Sequence, residues 1–155
     1  MLASRVRCNI SRRYPERPVL GVGALIFDAG RVLLVERGHE PLMGWWSLPG
    51  GAVETGERLR EAIQREVMEE TNLVVEPLEV VEIFERLMKD AGHRTEYHYV
   101  LIDYLCRITG GDLRAGSDSS NVAWFRREEL ANLKLTEGAL PVIEKAFGIH
   151  ESKQS

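Results

Sequence analysis

The alternation of apolar and polar positions divides the chain into strands and two helices. Pro18–Phe27 carries Val19, Val22, Leu25, Ile26 and Phe27 in an apolar run with small residues between them, the pattern of a buried strand. Asp28-Ala29-Gly30 reads as a turn, and Arg31–Arg37, with Val32 to Val35 at its centre, returns as the second arm of a hairpin. Gly38–Gly44 reads as loop, and Trp45–Val53 as a short extended segment ending in a glycine turn. The period then changes. From Thr55, read as an N-cap, to Thr71 there is no proline, and Leu59, Ala62, Ile63 and Val67 recur every three or four residues, which predicts a helix. Asn72 follows, a residue that tolerates the left-handed conformation beyond a helix end.

Beyond the helix, Leu73–Val75 and Leu78–Met88 read as strands and Lys89–Arg94 as a polar turn. Thr95–Arg107 is apolar on both faces, which predicts a central strand. Ile108–Asn121 is a Gly/Ser/Asp-rich loop, Val122–Phe125 a last short strand, and Leu140–Phe147 a short helix with Pro141 in its first turn. The tail from Gly148 is polar and expected to fray. Without internal repeat or linker, the pattern is one α+β domain with a mixed sheet and two helices. It divides into a basic arm (1–17), the domain (18–147) and a polar tail (148–155).

Composition narrows the function. The 155 residues are 44% hydrophobic and 28% charged, ordinary for a globular domain and sufficient for one core without disulfides. The longest charge-free stretch, Pro41–Val53, is 13 residues long and broken by prolines and glycines, so no membrane span is expected. A formal net charge of -4 argues against coating duplex nucleic acid. Two cysteines, Cys8 and Cys106, form no disulfide framework, and no secretory signal is evident, so the expected home is cytoplasmic.

That charge is unevenly placed. Residues 1–17 carry five arginines against Glu16, whereas residues 54–85 carry ten acids and only Arg58, Arg60 and Arg65. Such an acidic run reads first as a solvated face and only second as a site, and spacing decides between them. Glu66, Glu69 and Glu70 stand at i, i+3 and i+4, on one helix face near the C-terminal end. Mutual repulsion and the helix dipole both disfavour them there. A hard divalent cation such as Mg2+, or Mn2+ in its place, would offset this, and the lack of accompanying Cys or His speaks against zinc. Gly50-Gly51 lets bare backbone approach a ligand, and Arg65 can hold Glu66 or grip a phosphate. Metal-assisted displacement at phosphorus is the reaction class that follows.

Gly51, Glu57 and the run Arg65-Glu66-Val67-Met68-Glu69-Glu70-Thr71-Asn72-Leu73 together resemble the Nudix box. That pattern is Gly, five residues, Glu, seven residues, then Arg-Glu-apolar-any-Glu-Glu-any-Gly-apolar. Its last glycine is Asn72 here. So many matches would arise by chance in about one chain in a million of this length. Gly44–Gly51 resembles the family's approach to the box, and Trp124-Phe125 with Glu129-Leu130 its final strand and turn, so the similarity spans about residues 18–147.

The resemblance implies an α/β/α sandwich with a mixed sheet and the box helix packed on it. It also implies a Mg2+-dependent hydrolase of nucleoside diphosphates linked to another moiety. Glu66, Glu69 and Glu70 would be metal ligands, joined by the carbonyl of Gly50; Glu57 would support the site and Arg65 would orient Glu66. Glu66 is the first choice for the base that activates the attacking water. Members often carry an acid three residues before the tryptophan of the final strand, where this chain has Asn121, so Asp118 or Glu96 is the alternative. Tyr14–Pro18 leading into Val19–Gly23 resembles ADP-ribose-cleaving members, although the proline that many of them carry past the box is Lys89 here. ADP-ribose or a nucleotide sugar is therefore the expected substrate, a nucleoside triphosphate (oxidised ones included) the second choice, and a non-catalytic ligand-sensing domain the third. A homodimer is a further expectation.

Other residues carry weaker expectations. Trp45, Trp46, Phe84, Tyr97 and Tyr99 read as core before they read as a base-stacking surface, and His98 as a core histidine. His39 in its loop is a candidate substrate contact. The basic arm with Tyr14 reads as a mobile end. Gly21-Val22-Gly23 lies inside a strand rather than opening a helix, and no phosphate-binding loop motif exists.

Overall fold

The computed structural model of the protein describes residues 12–40, 42–116 and 119–154. Strand β1 (Val19–Asp28) is its hub. It runs parallel to β6 (Thr95–Gly111), pairing Val19–Ile26 with Tyr99–Cys106. It pairs antiparallel with β4 (Gly50–Ala52) through Gly21, Val22 and Gly23, and with β2 (Arg31–Arg37) at Phe27 and Asp28. On the far side of β6 lies β5 (Leu73–Lys89), the sheet's edge; beyond β2 lie β3 (Trp46–Ser47) and β7 (Ser119–Arg126). The sheet is therefore mixed, as expected. The turn between β1 and β2 has positive φ at both Ala29 (49°) and Gly30 (74°), which suits the right-handed twist of a tight hairpin.

Helix α1 (Leu59–Thr71) covers one face, packing Ala62, Ile63 and Val67 on Val22, Ala24, Ile26, Leu33, Ile102 and Tyr104. Helix α2 (Ala139–Gln154) covers the other, packing Val142, Ile143, Ala146 and Phe147 on Leu25, Val32, Leu34 and Leu105. The alternation along β1 feeds both cores, which explains its apolar run: it is covered on two faces.

The structure revises several expected boundaries. The box helix begins at Leu59, with Arg58 rather than Thr55 as N-cap. Gly56 has φ +88°, and Glu57 N–H bonds the carbonyl of Glu54, so residues 54–57 form a tight turn that helical geometry cannot enter. Glu61 then accepts from the Arg58 N–H at 2.9 Å, half of a capping box. Leu73–Val75 and Leu78–Met88 form one continuous strand. Pro77 is tolerated because β5 is an edge strand with register shifts on either side of it, and Arg60 and Gln64 of α1 donate to its carbonyls at Pro77, Leu78 and Val75. The loop expected at Ile108–Asn121 is shorter, since β6 runs to Gly111 and β7 starts at Ser119. The second helix is longer than Leu140–Phe147. It continues through Gly148 to Gln154 because Ile149 packs on the α2 core and His150 stacks on Phe27 at 4.8 Å.

Asn72 takes the left-handed conformation (φ 62°, ψ 15°) just past α1; its N–H bonds Met68 O and its side chain donates to Asp112 O at 2.8 Å. The basic arm does not float where it is described. Tyr14 donates from its hydroxyl to Asp90 at 2.8 Å and from its backbone to Glu96 O, and the guanidiniums of Arg13 and Arg94 both lie over its ring. These contacts clip residues 13 and 14 to the β5–β6 hairpin.

Candidate active site

The glycine turn and the box helix meet at the end of β1. Register across β1 and β4 sets Gly51 beside Val22 and Gly50 beside Gly23. Gly51 faces the carboxylate of Glu66, and a Cβ there would lie 2.5 Å from Glu66 Cδ, so a larger residue would displace that carboxylate. At position 50 a Cβ would collide with the backbone of Val22. The two glycines here serve the close approach of the turn to Glu66 and to β1.

Arg65 organises the acids. Its Nε and Nη2 grip both oxygens of Glu57 at 2.6 and 2.9 Å, its Nη1 donates to Glu66 at 2.7 Å and to Glu69 at 3.4 Å, and Nη2 also reaches Ala52 O at 3.1 Å. Glu57 is thereby tied under the turn, and Glu54 lies 4.0 Å from the same guanidinium. Glu70 points the other way and accepts from the Gly50 N–H at 3.3 Å. Burial pushes the Glu66 carboxyl above the usual carboxylate range, and Arg65 only partly opposes this. The charge of Arg12 acts on Glu66, and also on Tyr99.

The donor set fits a hard divalent cation: three carboxylates and a glycine backbone, all oxygen, with no thiolate or imidazole. Among the described residues no three acidic, His or Cys side chains are drawn into a ready cage. The glutamates are held apart, with Glu66 and Glu69 on Arg65 and Glu70 on Gly50. The structure thus brings Glu57, Arg65, Glu66, Glu69, Glu70 and the Gly50-Gly51 turn together.

The remaining candidates are placed as follows. Glu96, an alternative base, is engaged by Arg13 at 2.9 Å. Asp118, the other alternative, lies outside the described residues. Trp46 packs edge-on against Phe125 at 4.9 Å, a core contact. Tyr97 and Tyr99 stack on each other at 6.3 Å. His39 is exposed in its loop, and His98 is half-buried on β6 across from Leu87.

Sequence reasoning missed two residues. Asp103 lies in the middle of β6 with 5% exposure, and burial pushes its carboxyl up to about 6 despite the opposing charge of Arg86. Arg86 of β5 is itself partly buried, in the field of Arg37. A signal for Asp103 was present: it is the lone charge in the run Leu101-Ile102-Asp103-Tyr104-Leu105-Cys106 of a strand read as covered on both faces.

A mixed sheet between helices, with an acid-bearing helix closing on a bare glycine turn, defines an α+β sandwich domain with one acidic face. The chain belongs to the NUDIX domain family, whose model matches residues 17–146. It is 31% identical over 116 residues to the ADP-ribose pyrophosphatase of Methanocaldococcus jannaschii, covering 75% of this chain and 66% of that protein. It is 32% identical over 121 residues to the 8-oxo-dGDP phosphatase NUDT18 of Mus musculus, covering 76% of this chain but only 35% of that protein. The chain thus spans from about a third to just under two thirds of these relatives. A crystal structure of a MutT NUDIX hydrolase from Burkholderia pseudomallei superposes with a TM-score of 0.73 at 29% identity, over 84% of this chain and 98% of that one. Among the described residues no helix is long and apolar enough to cross a membrane.

Proposed function

We propose that the protein hydrolyses the phosphoanhydride bond of a nucleoside diphosphate linked to another moiety, with ADP-ribose or a nucleotide sugar as the substrate class and Mg2+ as the resident cation. The observation that carries this reading is the Arg65 fork, which fixes Glu57 and Glu66 against the Gly50-Gly51 turn beside Glu69 and Glu70. Glu66, Glu69 and Glu70, with the Gly50 carbonyl, would hold the cation. When bound, it supplies charge neutralisation of the pyrophosphate and a lowered pKa for water.

The chain's own residues do the rest. Arg65 keeps Glu66 in one orientation, and Glu57 keeps Arg65 in one orientation in turn. Glu66 is the proposed base, held in place by the Arg65 Nη1 donor at 2.7 Å. The charges of Arg12, Arg37 and Arg86 all act on Tyr99, and together they would give the anionic substrate a cationic flank. The likeness to the archaeal ADP-ribose pyrophosphatase supports the substrate class. The likeness to the 8-oxo-dGDP phosphatase supports a second reading, an oxidised purine nucleotide.

A hydrolysis panel of ADP-ribose, nucleotide sugars, and normal and oxidised nucleoside di- and triphosphates, with Mg2+ and with Mn2+, tests the reading. Glu70→Gln should cut the rate at least a hundredfold with the circular dichroism unchanged. A wild-type protein inert toward the whole panel, or a fully active Glu70→Gln variant, overturns it.

A further inference from the structure

The basic arm is strapped to the β5–β6 turn at Arg13 and Tyr14. Tyr14 gives its hydroxyl to Asp90 at 2.8 Å and its backbone N–H to Glu96 O at 2.7 Å, and Arg13 Nε lies 2.9 Å from the Glu96 carboxylate. Asp90 is itself the knot of that turn, because its other oxygen accepts from the N–H groups of Gly92 and Arg94, both at 2.9 Å. The guanidinium of Arg94 lies over the Tyr14 ring at 4.5 Å. Tyr14 holds φ +53°, in the left-handed region that few non-glycine residues enter, and Pro15 follows it, which favours an extended residue in that place. Such a conformation costs energy and persists only where its surroundings fix it.

The strap does not complete a core. Residues 12–14 are exposed, none of them packs in either core, and each tie is of a kind that contributes little at a surface. What it fixes is the residue before it. Among the described residues Arg12 forms no hydrogen bond and no ion pair, whereas Arg13 and Arg94 are both committed to the strap. The charge of Arg12 acts on Glu66 of the box helix and on Tyr99 of β6, and screening confines such an effect to about 10 Å. Arg12 therefore stands near the box helix and β6 at once, two residues from an anchored turn. It is not the partner of Glu66, which Arg65 already holds at 2.7 Å. An uncommitted guanidinium beside the acid-bearing helix suits a phosphate, which it can grip through two N–H groups.

We propose that Arg12 grips a phosphate of the substrate, and that Tyr14, Asp90 and Glu96 are positioning residues that station it there. The inference rests on the nucleotide-hydrolase reading for the identity of the ligand, and it gives the arm a role in binding rather than in breaking the phosphoanhydride. Arg12 reaches the ligand, and the strap acts only through Arg12. Anchoring the chain two residues away removes freedom that an unanchored arm would have to lose on binding.

The probe is inorganic pyrophosphate with Mg2+, titrated calorimetrically into the full chain, since it carries the phosphates without a nucleoside. Arg12→Gln should weaken its binding about tenfold, the loss of one charge-assisted grip. Tyr14→Ala should weaken it about three- to tenfold when Arg12 is present and leave it unchanged in the Arg12→Gln background, because the two residues act as one unit. A strap that merely shored up the fold would weaken binding equally in both backgrounds. That equal loss overturns the proposal, as does a wild type that binds no pyrophosphate, or an Arg12→Gln or Tyr14→Ala variant that binds it as the wild type does. Hydrolysis of the nucleotide panel is read separately. A protein inert toward the panel that still shows this binding pattern loses the hydrolase reading and keeps the arm, and an active hydrolase whose Arg12→Gln variant binds unchanged does the reverse.

Discussion

Arg65 donates to Glu57, Glu66, Glu69 and the carbonyl of Ala52 at once, which a planar fork of five N–H groups allows and a single ammonium does not. Arg65→Lys keeps the charge and loses the fork. It should leave Glu57 and Glu66 without fixed orientation and lower kcat/KM about 10- to 100-fold, while stability changes by no more than about 1–2 kcal/mol. Steady-state hydrolysis alongside urea unfolding measures both, and a fully active Lys variant would show that charge alone suffices. Asp103 argues differently, through stability. Burial raises its carboxyl from 3.8 to about 6, so the folded state holds the proton more tightly than the unfolded chain does. The stabilisation this gives is complete below about pH 4, is lost as pH rises toward 6, and above that the ionised group is a constant burden of about 2–3 kcal/mol. Asp103→Asn should therefore be more stable than the wild type at pH 8 by about 1–3 kcal/mol, and the gap should close by pH 4. Urea midpoints across that range decide it. Equal stability at pH 8 would mean that the carboxylate is better solvated than its burial implies.

Helix α2 tests what an element's end contributes. Its last turn is polar in sequence, yet Ile149 is half-buried, His150 stacks on Phe27, and Lys153 pairs with Glu79 of β5 at 2.7 Å. Removing residues 148–155 should cost about 1–3 kcal/mol in unfolding free energy, chiefly from the lost packing of Ile149 and His150. The exposed ion pair adds little. An unchanged urea midpoint would return the tail to the frayed state that its composition suggests. The contrast with α1 explains what could be read in advance. Glu66, Glu69, Glu70 and Asn72 owe their placement to helical spacing within a few residues, so the chain displays it directly. The run of β5 through Pro77 depends on its being an edge strand, with bulges that a pairing partner creates. The meeting of Arg86 with Asp103 and Gly23 depends on register among three strands distant in sequence, one of them parallel. The start of α1 was misplaced for a local reason: Thr55 has the right chemistry for an N-cap, but Gly56 at φ +88° turns the chain away before a helix can form.

Across the whole molecule, a net charge of -4 hides an acidic segment, residues 54–85, that carries most of the imbalance. Within it, Glu57, Glu66 and Glu69 share Arg65, so this one guanidinium faces three carboxylates. The fold is thus under like-charge strain at one place, and two mechanisms can relieve it. Ordinary salt screens the repulsion over about 8–10 Å and acts on every exposed charge in proportion to ionic strength. A cation held by Glu66, Glu69 and Glu70 binds saturably, and at a hundred times its dissociation constant stabilises by about 2.7 kcal/mol. For a domain of this size that is a rise of about 5–10 °C in the melting temperature. Mg2+ at a few millimolar should therefore raise the melting temperature along a saturating curve, while KCl matched in ionic strength should raise it far less. Glu70→Gln should lose more than half of the Mg2+-specific rise. Should KCl reproduce the whole shift, or should Glu70→Gln respond like the wild type, the acidic face would be a solvated helix edge rather than a cation site.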